Sequence, residues 1–118
     1  MKKIISITLV LLLLTACAST TKYQTVDANK VATLINEGVT IVDVRTPSEY
    51  EEGHIKTAVN FPLDVIDTIS YDKDSPIIVY CASGVRSKQA AETLVDMGYT
   101  EVYNLDGGIL NAGELLGD

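Results

Sequence analysis

The hydrophobic pattern changes period several times along the chain. Ile4 to Leu14 is an almost unbroken apolar run. From Asp27 the spacing turns helical: Asp27 is a good N-cap type, Val31, Leu34 and Ile35 recur on one face, and Gly38 supplies a stop. Val39 to Val44 is β-branched and nearly continuous in apolar residues, which predicts a strand buried on both faces of a parallel sheet. Ala58 to Leu63 predicts a weaker, shorter strand ended by Pro62. Ile77 to Tyr80 is the second clear buried strand. Ser87 to Met97 is a helix with Ala90, Ala91, Leu94 and Val95 inward and Gly98 just past its end. Glu101 to Leu105 is the third clear strand. The last stretch, Asp106 to Leu116, opens with two glycines and predicts a short closing helix. Strands alternating with helices imply an α/β fold: a central, mostly parallel sheet with helices on both faces. In such sheets the ligand site lies beyond the carboxyl ends of the strands. Cys81 stands at one of those ends.

The apolar run at the start does not belong to that pattern. Lys2 and Lys3 precede it, and it is shorter than the roughly 20 residues a spanning helix needs, so it has the layout of an export signal. It ends in Leu14-Thr15-Ala16-Cys17, which resembles a bacterial lipobox. That resemblance implies cleavage before Cys17 and acylation of its thiol and new amino terminus; the plainer alternative is a secretory signal in which Cys17 is incidental. The expected organisation is a lipoprotein signal over 1–16, a lipidated cysteine and small polar tether over 17–22, and one folded domain over 23–117. The expected location is the cell envelope. In an organism with two membranes that is the outer membrane, facing the periplasm, since Ala18 and not Asp follows the cysteine. Otherwise it is the outer face of the cell membrane.

Charge narrows the partners. The chain has 9 basic and 16 acidic residues, a net −7. Without Lys2 and Lys3 the balance is two units more acidic. No basic stripe exists, so nucleic acid is not an expected partner. Nothing calls for an oligomer, and a monomer is expected. The two cysteines sharpen the chemistry. If lipid occupies Cys17, Cys81 has no disulfide partner, and a lone thiol in an oxidising compartment is a liability. That favours a chemical use over a buried, inert cysteine.

The stretch Cys81-Ala82-Ser83-Gly84-Val85-Arg86 leaves a strand and enters a helix. Its backbone N–H groups can curl round one point, and the helix adds its positive end. Gly84 permits a backbone angle that other residues resist. Arg86 brings a permanent charge with forked donors. Together they lower the pKa of a thiol and hold a small oxyanion beside it, which makes Cys81 a candidate nucleophile. A structural strand-to-helix turn with a half-buried cysteine is the alternative.

"DVRTPSEYEEGHIKTAVNFPL", "VYCASGVRS" and "NLDGGI", in that order, resemble the rhodanese domain, a single-domain sulfurtransferase family. The resemblance covers Val26 to about Leu110. It implies that Cys81 takes a sulfane sulfur from a small sulfur-containing anion such as thiosulfate, forms a persulfide, and passes the sulfur to cyanide or a thiol. By the same resemblance, Ala82, Ser83, Gly84 and Val85 form the cradle and Arg86 binds the anion. Asp43 and Arg45 match the family's D-x-R and are expected to be architectural, Arg45 pairing with a carboxylate such as Glu49. His54 matches "GHI" and is expected to hold a loop by hydrogen bonds. No cofactor is implied, and one histidine with one free cysteine does not build a metal-ligand set. The family often places a tryptophan near the start of the last helix. Here Ala112 stands at about that place and the chain has no tryptophan, which alters the outer wall of the pocket.

Two other readings stay in view and a third is set aside. Phosphatases of the same strand–loop–helix design, and arsenate enzymes with them, use C-x5-R, whereas this loop is C-x4-R and has no acid to protonate a leaving group. A thioredoxin-type enzyme needs C-x-x-C, but position 84 is glycine. A membrane-tethered persulfide carrier or interaction module with little turnover fits the same residues.

Overall fold

The middle of the molecule is the strand Ile77–Tyr80, all four residues buried. A computed structural model describes residues 23–117. The export signal, Cys17 and the tether fall outside the described residues. In chain order the elements are β1 (Gln24–Val26), α1 (Ala28–Asn36), β2 (Thr40–Asp43), α2 (Pro47–Glu52), β3 (His54–Ile55) and β4 (Val59–Asn60). A 3-10 segment (Leu63–Thr68), β5 (Ile77–Tyr80), α3 (Val85–Asp96) and β6 (Val102–Leu105) follow. Two 3-10 turns (Gly108–Asn111 and Gly113–Leu115) and β7 (Leu116–Gly117) close the chain. The main sheet has the order β1-β6-β5-β2-β4, and every pairing in it is parallel. A small antiparallel pair, β3 with β7, lies apart from it. This is the α/β architecture expected from the alternating pattern.

Alternation within β5 divides the core in two. Ile77 and Val79 join Ala90, Ala91 and Leu94 of α3, Ile66 of the 3-10 segment and Ile69 just past it. Ile78 and Tyr80 point the other way, into Val31 and Leu34 of α1. Parallel strands covered on both faces have no reason to carry polar residues, so their sequences read as continuous apolar runs. Asp27 caps α1 as expected, accepting a hydrogen bond from the Lys30 N–H at 2.9 Å.

Several details differ from the sequence pattern, the helix α2 and the β3–β7 pair among them. The edge strand β1 was not anticipated; its residues are largely exposed, and it forms because β6 offers an open edge. The segment Ala58–Leu63 contributes only Val59–Asn60 to the sheet. Helix α3 starts at Val85, two residues early, because Gly84 takes a left-handed conformation (φ 109°) and ends the loop there. The closing helix is broken into two 3-10 turns, the second opening on Gly113 at φ 54°.

Candidate active site

Strand β5 delivers Cys81 to the carboxyl edge of the sheet, where its residue is 1% exposed. The chain then turns sharply through Gly84. That turn aims two backbone N–H groups at the sulfur: Gly84 donates to Sγ at 3.0 Å and Ser87 at 3.4 Å. Burial alone pushes the thiol up. The hydrogen bonds from the Ser87 side chain and backbone, and from the Gly84 and Ser83 backbone, outweigh it and hold the pKa below the ordinary thiol value. The Ser87 hydroxyl also lies 3.2 Å from the Gly84 carbonyl. Its one proton serves either that oxygen or the sulfur. Ser87 is wholly buried and belongs to this cradle. Ser87 lies one residue beyond the Cys81–Arg86 loop, and the signal for it is its place in the first turn of a helix that opens on a thiol.

The outer side of the cradle is braced by the turn after β6. The Ile109 N–H donates to the Cys81 carbonyl at 2.9 Å. A Cβ added to Gly108 would lie 2.4 Å from that same carbonyl oxygen and 2.6 Å from the Ala82 oxygen, so the two backbones meet only because residue 108 is glycine. Ala112, at the place of the missing tryptophan, is buried in the α1-side core rather than lining an outer wall.

The arginine partners are not those expected. Arg45 does not pair with Glu49. It turns back onto Asp43 of its own strand end, with Nε 2.9 Å and Nη2 2.6 Å from the carboxylate oxygens. Both side chains are buried. Spacing alone does not decide this, but packing does: Asp43 sits beneath Tyr80, whose hydroxyl donates to it at 2.7 Å, and the Arg45 guanidinium lies 5.7 Å from the Tyr80 ring centre. Burial first, and that hydrogen bond second, push the Tyr80 phenol far above its ordinary pKa. Arg45 Nη2 also donates to the Gly53 carbonyl at 2.7 Å, tying down the loop after α2.

Glu49 pairs with Arg86 instead. Nη1 donates to Oε1 at 2.8 Å and Nη2 to Oε2 at 3.0 Å, a two-bond fork with both side chains about one-third exposed. Glu49 is also the third residue of a capping box on α2: Oε1 accepts from the Thr46 N–H at 3.0 Å, and the Glu49 N–H donates to the Thr46 hydroxyl at 3.2 Å. The Arg86 fork, then the Thr46 N–H, hold the Glu49 carboxyl down at about 2. The ion pair stands between two clefts. Glu49 lines one of about 490 Å³ with Arg45, Glu52 and His54, and Arg86 lines another of about 330 Å³ with Val44, Pro62 and Leu63. Cys81 lines neither.

His54 is half-buried in β3. Its ring stacks on Tyr50 with centroids 3.9 Å apart, and Nδ1 lies 3.0 Å from the Tyr50 carbonyl, which can only accept. Those contacts tie β3 to the end of α2.

Comparison with known proteins bears on the whole domain. Residues 27–112 match the rhodanese-like domain. The chain belongs to that family. Among its relatives, a protein of Allochromatium vinosum named a sulfurtransferase is 42% identical over 76 residues, which is 63% of this chain and 71% of that one. An uncharacterised Bacillus subtilis protein, YqhL, is 44% identical over 75 residues, 62% of this chain. The match spans 60% of that relative's length. The crystal structure of a rhodanese-like domain protein from Staphylococcus aureus superposes with a TM-score of 0.71 at 33% identity, over 80% of this chain and 96% of that one. Within the rhodanese-like fold, Cys81 is thus a buried thiol at the end of the central strand.

Proposed function

We propose that this chain is a sulfurtransferase that carries sulfane sulfur as a persulfide on Cys81. The observation behind this reading is the convergence of the Gly84 and Ser87 N–H groups on Sγ, at 3.0 and 3.4 Å. The naming of the Allochromatium relative supports the same class. Thiosulfate is the proposed donor. The Cys81 thiolate attacks its outer sulfur, a new S–S bond forms, the old one breaks, and sulfite leaves with the bonding pair. The terminal sulfur of the persulfide then carries the negative charge, and the cradle N–H groups stabilise it as they stabilise the thiolate. Cyanide or a thiolate attacks that terminal sulfur, leaves with it, and regenerates the Cys81 thiolate. Residues 82–86 supply the backbone of the cradle.

The near-complete burial of Cys81 supports a second reading beside turnover: a persulfide carrier that holds sulfur and releases it slowly. Turnover decides between them. With thiosulfate and cyanide the protein is expected to make thiocyanate continuously, and Cys81→Ser to make none. One equivalent of thiocyanate followed by arrest marks a carrier. Hydrolysis of a phosphate ester through Cys81, without sulfur transfer, would place the site with the phosphatases.

The membrane address is a separate proposal resting on Leu14 to Cys17. Cys17 carries the lipid, and the domain works in the cell envelope on a short tether. Labelled fatty acid is expected to enter the wild type and not Cys17→Ser; equal labelling of both defeats the proposal.

A further inference from the structure

The fork of Arg86 is already occupied. Both outer nitrogens bond the two oxygens of Glu49, the same arrangement a sulfonate-type oxyanion would seek. The carboxylate is not free to drift away. Oε1 also accepts from the Thr46 N–H at 3.0 Å and sits 3.2 Å from its hydroxyl, so the start of α2 fixes it in place. The pair is one-third exposed at the boundary of two clefts, within reach of a dissolved anion. The other arginine at this edge, Arg45, is neutralised by Asp43 and buried.

We propose that Glu49 is a resident counter-anion that competes with the oxyanion of donor and product for Arg86, and so sets how tightly each is held. The proposal rests on the sulfurtransfer reading for the identity of those anions. A fixed carboxylate acts at high effective concentration, so it weakens the grip on thiosulfate and on sulfite alike. Weak donor binding is the cost, and quick release of sulfite is the gain. Glu49 in this sense tunes affinity and is not a catalytic residue: it acts on the reacting sulfur only through Arg86.

Glu49→Gln separates this role from helix capping, because glutamine at the same position preserves the capping box while removing the charge. The full chain, in detergent, is treated with iodoacetamide, and modification of Cys81 is read by peptide mass while sulfite is titrated as a protecting anion, with a free small thiol in the same tube reporting the iodoacetamide that sulfite itself consumes. This readout needs no sulfur transfer. Glu49→Gln is expected to lower the half-protecting sulfite concentration by about five- to tenfold. In turnover it lowers the KM for thiosulfate by a similar factor without raising kcat. Adding Arg86→Gln to it abolishes the gain. An unchanged or higher half-protecting concentration in Glu49→Gln, at wild-type melting temperature, overturns the proposal and leaves Glu49 as a brace that orients Arg86. A wild type that is protected by sulfite yet gains no sulfur from thiosulfate contradicts the sulfurtransfer reading instead.

Discussion

Two arginine–carboxylate pairs stand at the same edge of the sheet, and they serve different ends. Asp43–Arg45 is sealed: its side chains are 0% and 7% exposed, and Tyr80 and the Gly53 carbonyl add further hydrogen bonds to it. Glu49–Arg86 is open, at 35% and 36%. In the sealed pair, losing one partner strands a charge in a medium that cannot solvate it. In the open pair, water replaces the lost partner at little cost. The residue types are alike, so depth alone seals one pair as architecture and leaves the other open to solvent.

The comparison breaks most directly at Asp43. Asp43→Asn keeps the shape but leaves Arg45 unpaired in the core, and is expected to cost about 3–5 kcal/mol in urea unfolding. A cost near that of a surface pair shows that Arg45 swings out to solvent. Tyr80→Phe probes the same cluster one bond at a time. It removes the donor to Asp43 and the acceptor of the Ile55 N–H, 3.0 Å away. Its expected cost is about 1–3 kcal/mol, with sulfur transfer retained. On the open side, Thr46→Ala removes the cap of α2 and is expected to cost about 1 kcal/mol. It also loosens Glu49, so thiosulfate KM shifts in the same direction as in Glu49→Gln but less far. Arg86→Gln is expected to change stability by only about 0–1 kcal/mol while weakening protection of Cys81 by anions. A large loss of stability there erases the distinction between the pairs.

The smallest effect concerns pH. The folded pKa of Cys81 lies below its unfolded value. The thiolate therefore contributes stability that is full above the unfolded pKa, roughly 8.5. That contribution fades as pH falls through the lower folded pKa. Stability of the wild type is expected to rise with pH across this window relative to Cys81→Ala. Parallel profiles for the two proteins contradict the assignment. The rate of Cys81 alkylation reports the same titration directly, with its midpoint below that of a free thiol.

Much of this was legible in the chain, for physical reasons that also mark the limit. Strands β2, β5 and β6 announce themselves because both faces are buried and every residue is apolar or nearly so. Cys81, Gly84 and Arg86 stand out because their chemistry is local to one loop. Strand β1 gave no signal, since Gln24 and Thr25 are exposed and pair only through an edge supplied some 80 residues later. Helix α2 does carry a local signal: Thr46-Pro47-Ser48-Glu49 is a capping box with proline in the first turn. That Glu49 pairs with Arg86 and not with Arg45 is not readable from the spacing. Three residues separate Arg45 from the helical position of Glu49, and only the packing of Tyr80 over Asp43 draws Arg45 the other way.

The central claim is that Cys81 holds transferable sulfur, and intact mass tests it most directly. After incubation with thiosulfate and removal of excess, the protein is expected to gain the mass of one sulfur atom. Peptide mapping is expected to place it on Cys81, and cyanide to remove it. Cys81→Ser is expected to gain nothing. A wild type that stays at its original mass, with the Cys81 thiol still free to alkylate, contradicts the account.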